Sequence, residues 1–175
     1  AGVDSYGHHS RFIHLVIHDT GAGVGFGQTG QVDDCEGHGS VISHVGWEGS
    51  ERGHGHSIYV QNANGSKRMT DNVLFSSFSF GIHAYTENGR IDNLEMRRNI
   101  VFNHGNLSVT GGPKANLLFA GRQVAQFPAI TDNFAYYPAG SPGRNLDIAI
   151  CDHGTIQNNY SAGGTPLKVY CINTV

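Results

Sequence analysis

The sequence predicts an all-β chain wound as a parallel solenoid, and three observations carry that expectation. A polar turn followed by alternating apolar residues returns at intervals of 25 to 34 residues, inside the range of stacked repeats. A second apolar phrase follows each copy of the first. No segment shows the sustained 3.6-residue apolar period of an amphipathic helix, and the gaps leave no room for helical crossovers.

Taken in chain order, the first phrase begins as His14-Leu15-Val16-Ile17 and Ser40-Val41-Ile42-Ser43. It sharpens to Asn72-Val73-Leu74-Phe75, Asn99-Ile100-Val101-Phe102 and Asn133-Phe134-Ala135-Tyr136, and closes more loosely around Asn158-Asn159-Tyr160. The marks at 14, 40, 72, 99, 133 and 158 give about six coils. The second phrase reads Gly23-Val24-Gly25-Phe26, Ser57-Ile58-Tyr59-Val60, Gly81-Ile82-His83-Ala84, Asn116-Leu117-Leu118-Phe119 and Asp147-Ile148-Ala149-Ile150. Val24 and Ile82 lie ten residues past His14 and Asn72, whereas Ile58 and Leu117 lie eighteen past Ser40 and Asn99. The longer spacing marks loop insertions in those coils. Each coil thus has at least two strands alternating inward and outward. Asparagines stacked at the turn would hydrogen-bond from coil to coil, with the ladder incomplete where His14 and Ser40 stand.

Composition bounds the rest. A chain of 175 residues is read as one domain over 1–175. It carries 11 basic and 14 acidic residues, a net charge of −3 that gives no basis for nucleic-acid binding. No apolar run reaches the ~18 residues of a membrane span. Eleven histidines are the compositional oddity.

The phrases Asp71-Asn72-Val73-Leu74-Phe75 and Phe80-Gly81-Ile82-His83 resemble the repeats of the right-handed parallel β-helix, or pectate-lyase-like, family. The resemblance covers roughly residues 10–170 and implies a right-handed solenoid. Family members include polysaccharide lyases, glycoside hydrolases, epimerases, esterases, tailspikes and adhesins, so the fold alone names no reaction. About six coils is short for the family. The expectation is either a fragment of a longer solenoid or a homo-oligomer whose partner covers the coil ends. A secreted or periplasmic setting goes with this reading. The chain opens AGVDSYGHH, without a basic and apolar leader, as a mature, trimmed or truncated product would.

The candidate chemistry sits on the second strand. With Ile58, Val60, Ile82 and Ala84 inward, Tyr59, Gln61, His83 and Tyr85 face outward, beside a glycine column at 23, 25 and 27. Tyr59 and His83 fall at equivalent places on adjacent coils. Such a pair can move protons in β-elimination from a uronate. Gln61, Tyr85, Trp47, Asn116 and Lys114 are the expected substrate contacts. Lys114, Arg122 or Arg90 would neutralise the developing enolate.

The leading expectation is therefore a polysaccharide lyase acting on a polysaccharide or oligosaccharide. The alternatives are a non-catalytic glycan-binding or structural segment, or a metal-dependent enzyme. The metal reading rests on His18, His44, His54 and His56, with His18 and His44 stacked at one corner and the other two on the insertion WEGSERGHGH. Asp33, Asp34 and Glu36 form the one acidic cluster for calcium. No two carboxylates recur on one outward face, which disfavours hydrolysis. Cys151 and Cys171 come within disulfide range if their strands stack.

Overall fold

The computed structural model describes residues 1–27, 32–165 and 167–175, and every described element is a strand, turn or bend. Each coil gives one short strand to each of three parallel sheets. The first sheet stacks Val3–Asp4, Val24–Phe26, Ile58–Val60, Ile82–Thr86, Ala115–Gly121 and Arg144–Asp152. Arg144–Asp152 also pairs with Ala125–Gln126 and Lys168–Ile172. The second sheet stacks Arg11–Ile13, Cys35–His38, Lys67–Thr70, Leu94–Arg97, Ala129–Thr131 and Thr155–Gln157. The third stacks Val16–His18, Val41–Ser43, Val73–Phe75, Ile100–Phe102, Phe134–Tyr136 and Tyr160–Ala162. The protein is a parallel β-solenoid.

Because side chains alternate along a strand and strands stack in register, inward residues form columns. One runs Val24, Ile58, Ile82, Leu117, Leu146, and its neighbour runs Phe26, Val60, Ala84, Phe119, Ile148. The third sheet contributes Ile17, Ile42, Leu74, Val101 and Ala135. These columns are the core, and almost all of their members are fully buried. Phe26 needs the space a side chain at position 37 would take. A Cβ on Gly37 would lie 3.0 Å from its ring.

Side-chain amides hold the corner between the second and third sheets. Asn72 Nδ2 donates to Asn99 Oδ1 at 3.0 Å, Asn99 to Asn133 at 3.0 Å, and Asn133 to Asn159 at 2.9 Å. Each oxygen also accepts the main-chain N–H of the preceding coil's asparagine. Ser40 continues the ladder through its N–H to Asn72 Oδ1, and Ser40 Oγ accepts Leu15 N–H. A second ladder joins Asn116 to Asn145 at 2.9 Å.

Two ends of the repeat differ from the sequence reading by one residue. The ladder position is Leu15, not His14, and Asn159, not Asn158. In both places the residue marked from sequence occupies the left-handed turn position just before the ladder, with φ of 55° at His14 and 53° at Asn158. Asp71, Arg98 and Asp132 fill that same position elsewhere. The last second-phrase copy shifts by two, because Leu146 rather than Ile148 pairs with Leu117. The second sheet's strands carry Cys35, Gly37 and Lys67 at inward positions, so no apolar phrase announced them. Cys151 and Cys171 are bonded, Cα–Cα 4.5 Å, tying the last strand to its neighbour, while Cys35 is free and buried.

Asn99→Ala removes two donated and two accepted bonds inside the corner. It should cost about 2–4 kcal/mol in urea unfolding, given what buried unpaired polar groups cost. Asn158→Gly, at the exposed turn position, should stay within about 0.5 kcal/mol of the parent.

Candidate functional site

The outward face of the first sheet runs Asp4, Gly25, Tyr59, His83, Leu118, Asp147 from coil to coil. Glycine at 25 breaks this row of side chains. A Cβ there would sit 2.2 Å from Asp4 Oδ1, so the carboxylate leans over the bare backbone. With Gly21 and Gly27, Gly25 floors a cleft of about 860 Å³. Asp4 and Tyr6 stand on one side, and Trp47, His54, His56 and Tyr59 on the other.

The aromatic side comes from two sources. Tyr59 arrives on its strand, and the Trp47 wall comes from the insertion in the second coil. That insertion folds as an antiparallel hairpin of Trp47–Glu48 against Gly53–His54. The His54 imidazole stacks on the Trp47 indole at 5.1 Å and 9° and bonds Glu51 at 2.8 Å. Trp47 nevertheless stays 53% exposed.

Tyr59 and His83 are strand partners, as the spacing predicts, with ring centroids 5.4 Å apart. Their surroundings set their chemistry. Gln61 Nε2 donates to Tyr59 Oη at 2.8 Å, and the phenol donates to Tyr85 O at 3.3 Å. Burial pushes the Tyr59 phenol above its ordinary pKa, although the Gln61 bond works against that shift. His83 is packed between the parallel rings of Phe80 and Tyr85, 4.5 and 5.4 Å away, and is not among the residues lining the cleft. Its Nδ1 is buried without a partner. Burial, then the neighbouring His56 and Arg52, drive its pKa to about 2. His56, centroid 4.2 Å from His83, does line the cleft, and burial lowers its pKa to about 4. Both imidazoles are neutral at pH 7, as is fully buried His104, lowered by burial to about 3.

The other expected contacts divide. Gln61 and Tyr85 join Tyr59 through hydrogen bonds. Asn116 is fully buried, its amide committed to Asn145 and Tyr136 O, so it holds coils together and is turned away from any ligand. Lys114 lies beyond the cleft, where its carbonyl accepts Tyr137 OH. Arg90 pairs with Asp92, and Arg122 with Glu87 at 3.5 Å.

The histidines proposed as metal ligands are dispersed. His18 is the register partner of Ser43, not of His44, and bonds Asp19 at 2.7 Å. His44 sits edge-on to Phe75. His54 and His56 occupy the two environments just described. Among the described residues no three His, Cys, Asp or Glu side chains converge as metal ligands. The acidic cluster is likewise shared out: Asp33 meets His8 at 3.4 Å, Asp34 meets His9 at 3.7 Å, and Glu36 bonds Arg11 at 2.8 Å.

Asp4 and Tyr6 are cleft residues that sequence reasoning missed, and His56, read there as a metal ligand, lines the cleft instead. Asp4 precedes the first recognisable repeat, and His56 lies just outside its strand phrase. No family model, curated protein or solved structure matches the chain.

The buried imidazoles make stability depend on pH in a fixed direction. In the folded chain they bind protons only well below the ordinary 6.5, so the unfolded chain holds more protons as pH falls from 6.5 toward 4. Their contribution is complete above the unfolded value and is lost progressively on acidification through that window. Urea midpoints should fall steadily below about pH 6.5. His83→Phe, which keeps the ring stack and removes one titration, should make that acid slope shallower.

Proposed function

We propose that the protein is a right-handed parallel β-helix that binds a neutral segment of a polysaccharide or oligosaccharide in the glycine-floored cleft. The right hand is the one that parallel crossover connections favour. The observation that carries the reading is the cleft itself: Gly25 leaves the strand bare, and Gly21 and Gly27 flank it, between an exposed indole and a phenol. A pyranose can lie on such a floor against the aromatic wall, with Asp4 and Tyr59 meeting its hydroxyl groups.

Binding without elimination fits the charges better than β-elimination by Tyr59 and His83. A uronate would need a cation near its carboxylate, yet among the described residues no lysine or arginine lines the cleft. Asp4 would repel that carboxylate. A base whose pKa lies near 2 or 4 accepts a proton poorly at neutral pH. The disulfide supports a secreted or periplasmic setting, since such bonds persist where the compartment is oxidising.

Calorimetric titration with neutral oligosaccharides (gluco-, xylo- and chito-series) and with oligogalacturonates tests the reading. Neutral chains should bind and oligogalacturonates should not. Trp47→Ala should weaken binding about tenfold or more, as loss of an aromatic anchor does. Gly25→Ala should fold, because its Cβ meets only the end of the Asp4 side chain, and should weaken binding by raising the floor. The reading fails if no neutral glycan titrates, and unsaturated product from a uronate polymer would put the lyase in its place.

A further inference from the structure

Two coils carry insertions, the second over residues 44–56 and the fourth over 103–114, while the third crosses the same corner in the short turn 76–81. The two insertions therefore meet above the third coil. Gly53 of the hairpin lies on Phe78 of that short turn and on Ser108 of the far insertion. A Cβ there would come 2.0 Å from Phe78 O and 2.6 Å from Ser108 Cβ. The far insertion is braced from within by Gly112 N–H to Ser108 O at 3.1 Å and Gly111 N–H to Ser108 Oγ at 2.8 Å.

One side chain joins the two polar surfaces. Glu48 Oε1 accepts the Thr110 main-chain N–H at 2.7 Å and also the Thr110 hydroxyl, which lies 3.3 Å from Gly49 O. Among the described residues Glu48 has no lysine or arginine partner, and the two Thr110 donors, with smaller contributions from the Ser108 hydroxyl and the Val109 N–H of the same insertion, engage its carboxylate. The hairpin that Glu48 secures leaves and rejoins the coil at Gly46 and Gly55, with φ of 114° and 87°. These backbone values are ones that other residues rarely adopt. Trp47 and His54, which wall the cleft, lie between those two glycines.

We infer that Glu48 and Thr110 latch the hairpin to the far insertion and so fix the position of the Trp47 wall. They are positioning residues for recognition, and neither lines the cleft. The effect on glycan affinity rests on the binding reading above, but the effect on Trp47 does not.

Trp47 is the protein's single tryptophan, so intrinsic fluorescence reports the hairpin directly. Glu48→Ala should red-shift the emission and raise acrylamide quenching, with far-UV circular dichroism unchanged. It should also weaken binding of a neutral oligosaccharide about tenfold, the scale of one lost hydrogen bond to a charged group. Glu48→Gln keeps an oxygen that can accept both Thr110 donors and should restore both readouts. Thr110→Val, which removes only the hydroxyl, should fall between. If Glu48→Ala does not fold, Thr110→Val read against Glu48→Gln still decides the matter. Emission and quenching unmoved in a folded Glu48→Ala would overturn the latch. Moved emission with unchanged affinity would overturn its role in recognition. If the parent protein binds no glycan, the binding reading fails, while fluorescence still settles the latch.

Discussion

The polar groups at the corner between the second and third sheets dictate most of this molecule. A coil that turns sharply must carry main-chain N–H and C=O groups past the core, where water does not reach them. Asn72, Asn99 and Asn133 answer that need with one amide each. The oxygens of Asn99 and Asn133 each take a donor pair from the coil before, and that of Asn72 takes the Ser40 N–H. Each nitrogen reaches both the next amide and a carbonyl such as Met69 O or Met96 O. Slipping one coil by a single residue would leave these buried groups unpaired and also turn apolar side chains outward. Register is thus fixed at the corner, and the columns of the core and of the outer face inherit it.

That inheritance explains what the sequence made legible. Where an Asn is followed by alternating apolar residues, as from Asn72 to Phe75, turn and strand are both marked, and the pairing of Tyr59 with His83 follows by counting. The ends were misread because turn and ladder positions accept overlapping residue types. Asn158 and Asn159 are both asparagines, but one adopts a left-handed turn and the other fills the ladder. At the first coil Leu15 replaces the amide altogether. Inserted segments were opaque for another reason. Nothing in WEGSERGHGH states that it pairs with itself and leans over Gly21, since that geometry depends on Ser108 and Thr110 some sixty residues away.

The same stacking that organises aromatic side chains also covers part of their surface. Phe75 and Phe102 stack at 5.0 Å and 4°, and Phe134 and Tyr160 at 4.8 Å and 8°. Rings packed face to face along the solenoid lose part of their surface to their neighbours, although Tyr160, last in its stack, stays 57% exposed. Trp47 escapes because its hairpin stands off the coil, with His54 on the ring and more than half of the residue open. Gly21, Gly25 and Gly27 line the cleft beside this hairpin, whereas Gly23 of the expected glycine column packs against Ser57 and Ile42.

Packing also settles what the imidazoles beside the cleft can do. A group that shuttles protons at neutral pH needs a pKa close to that pH. His83 is squeezed between Phe80 and Tyr85, and His56 lies against His83, so removal from water favours their neutral forms by a wide margin. Tyr59 is shifted the other way, and its proton is directed at Tyr85 O. The cluster is thus held uncharged across the physiological range. An uncharged aromatic cluster is poorly suited to stabilising the negative charge of an enolate. The side chains that looked catalytic by type form, by environment, an uncharged aromatic cluster, with Tyr59 and His56 on the cleft and His83 packed between Phe80 and Tyr85.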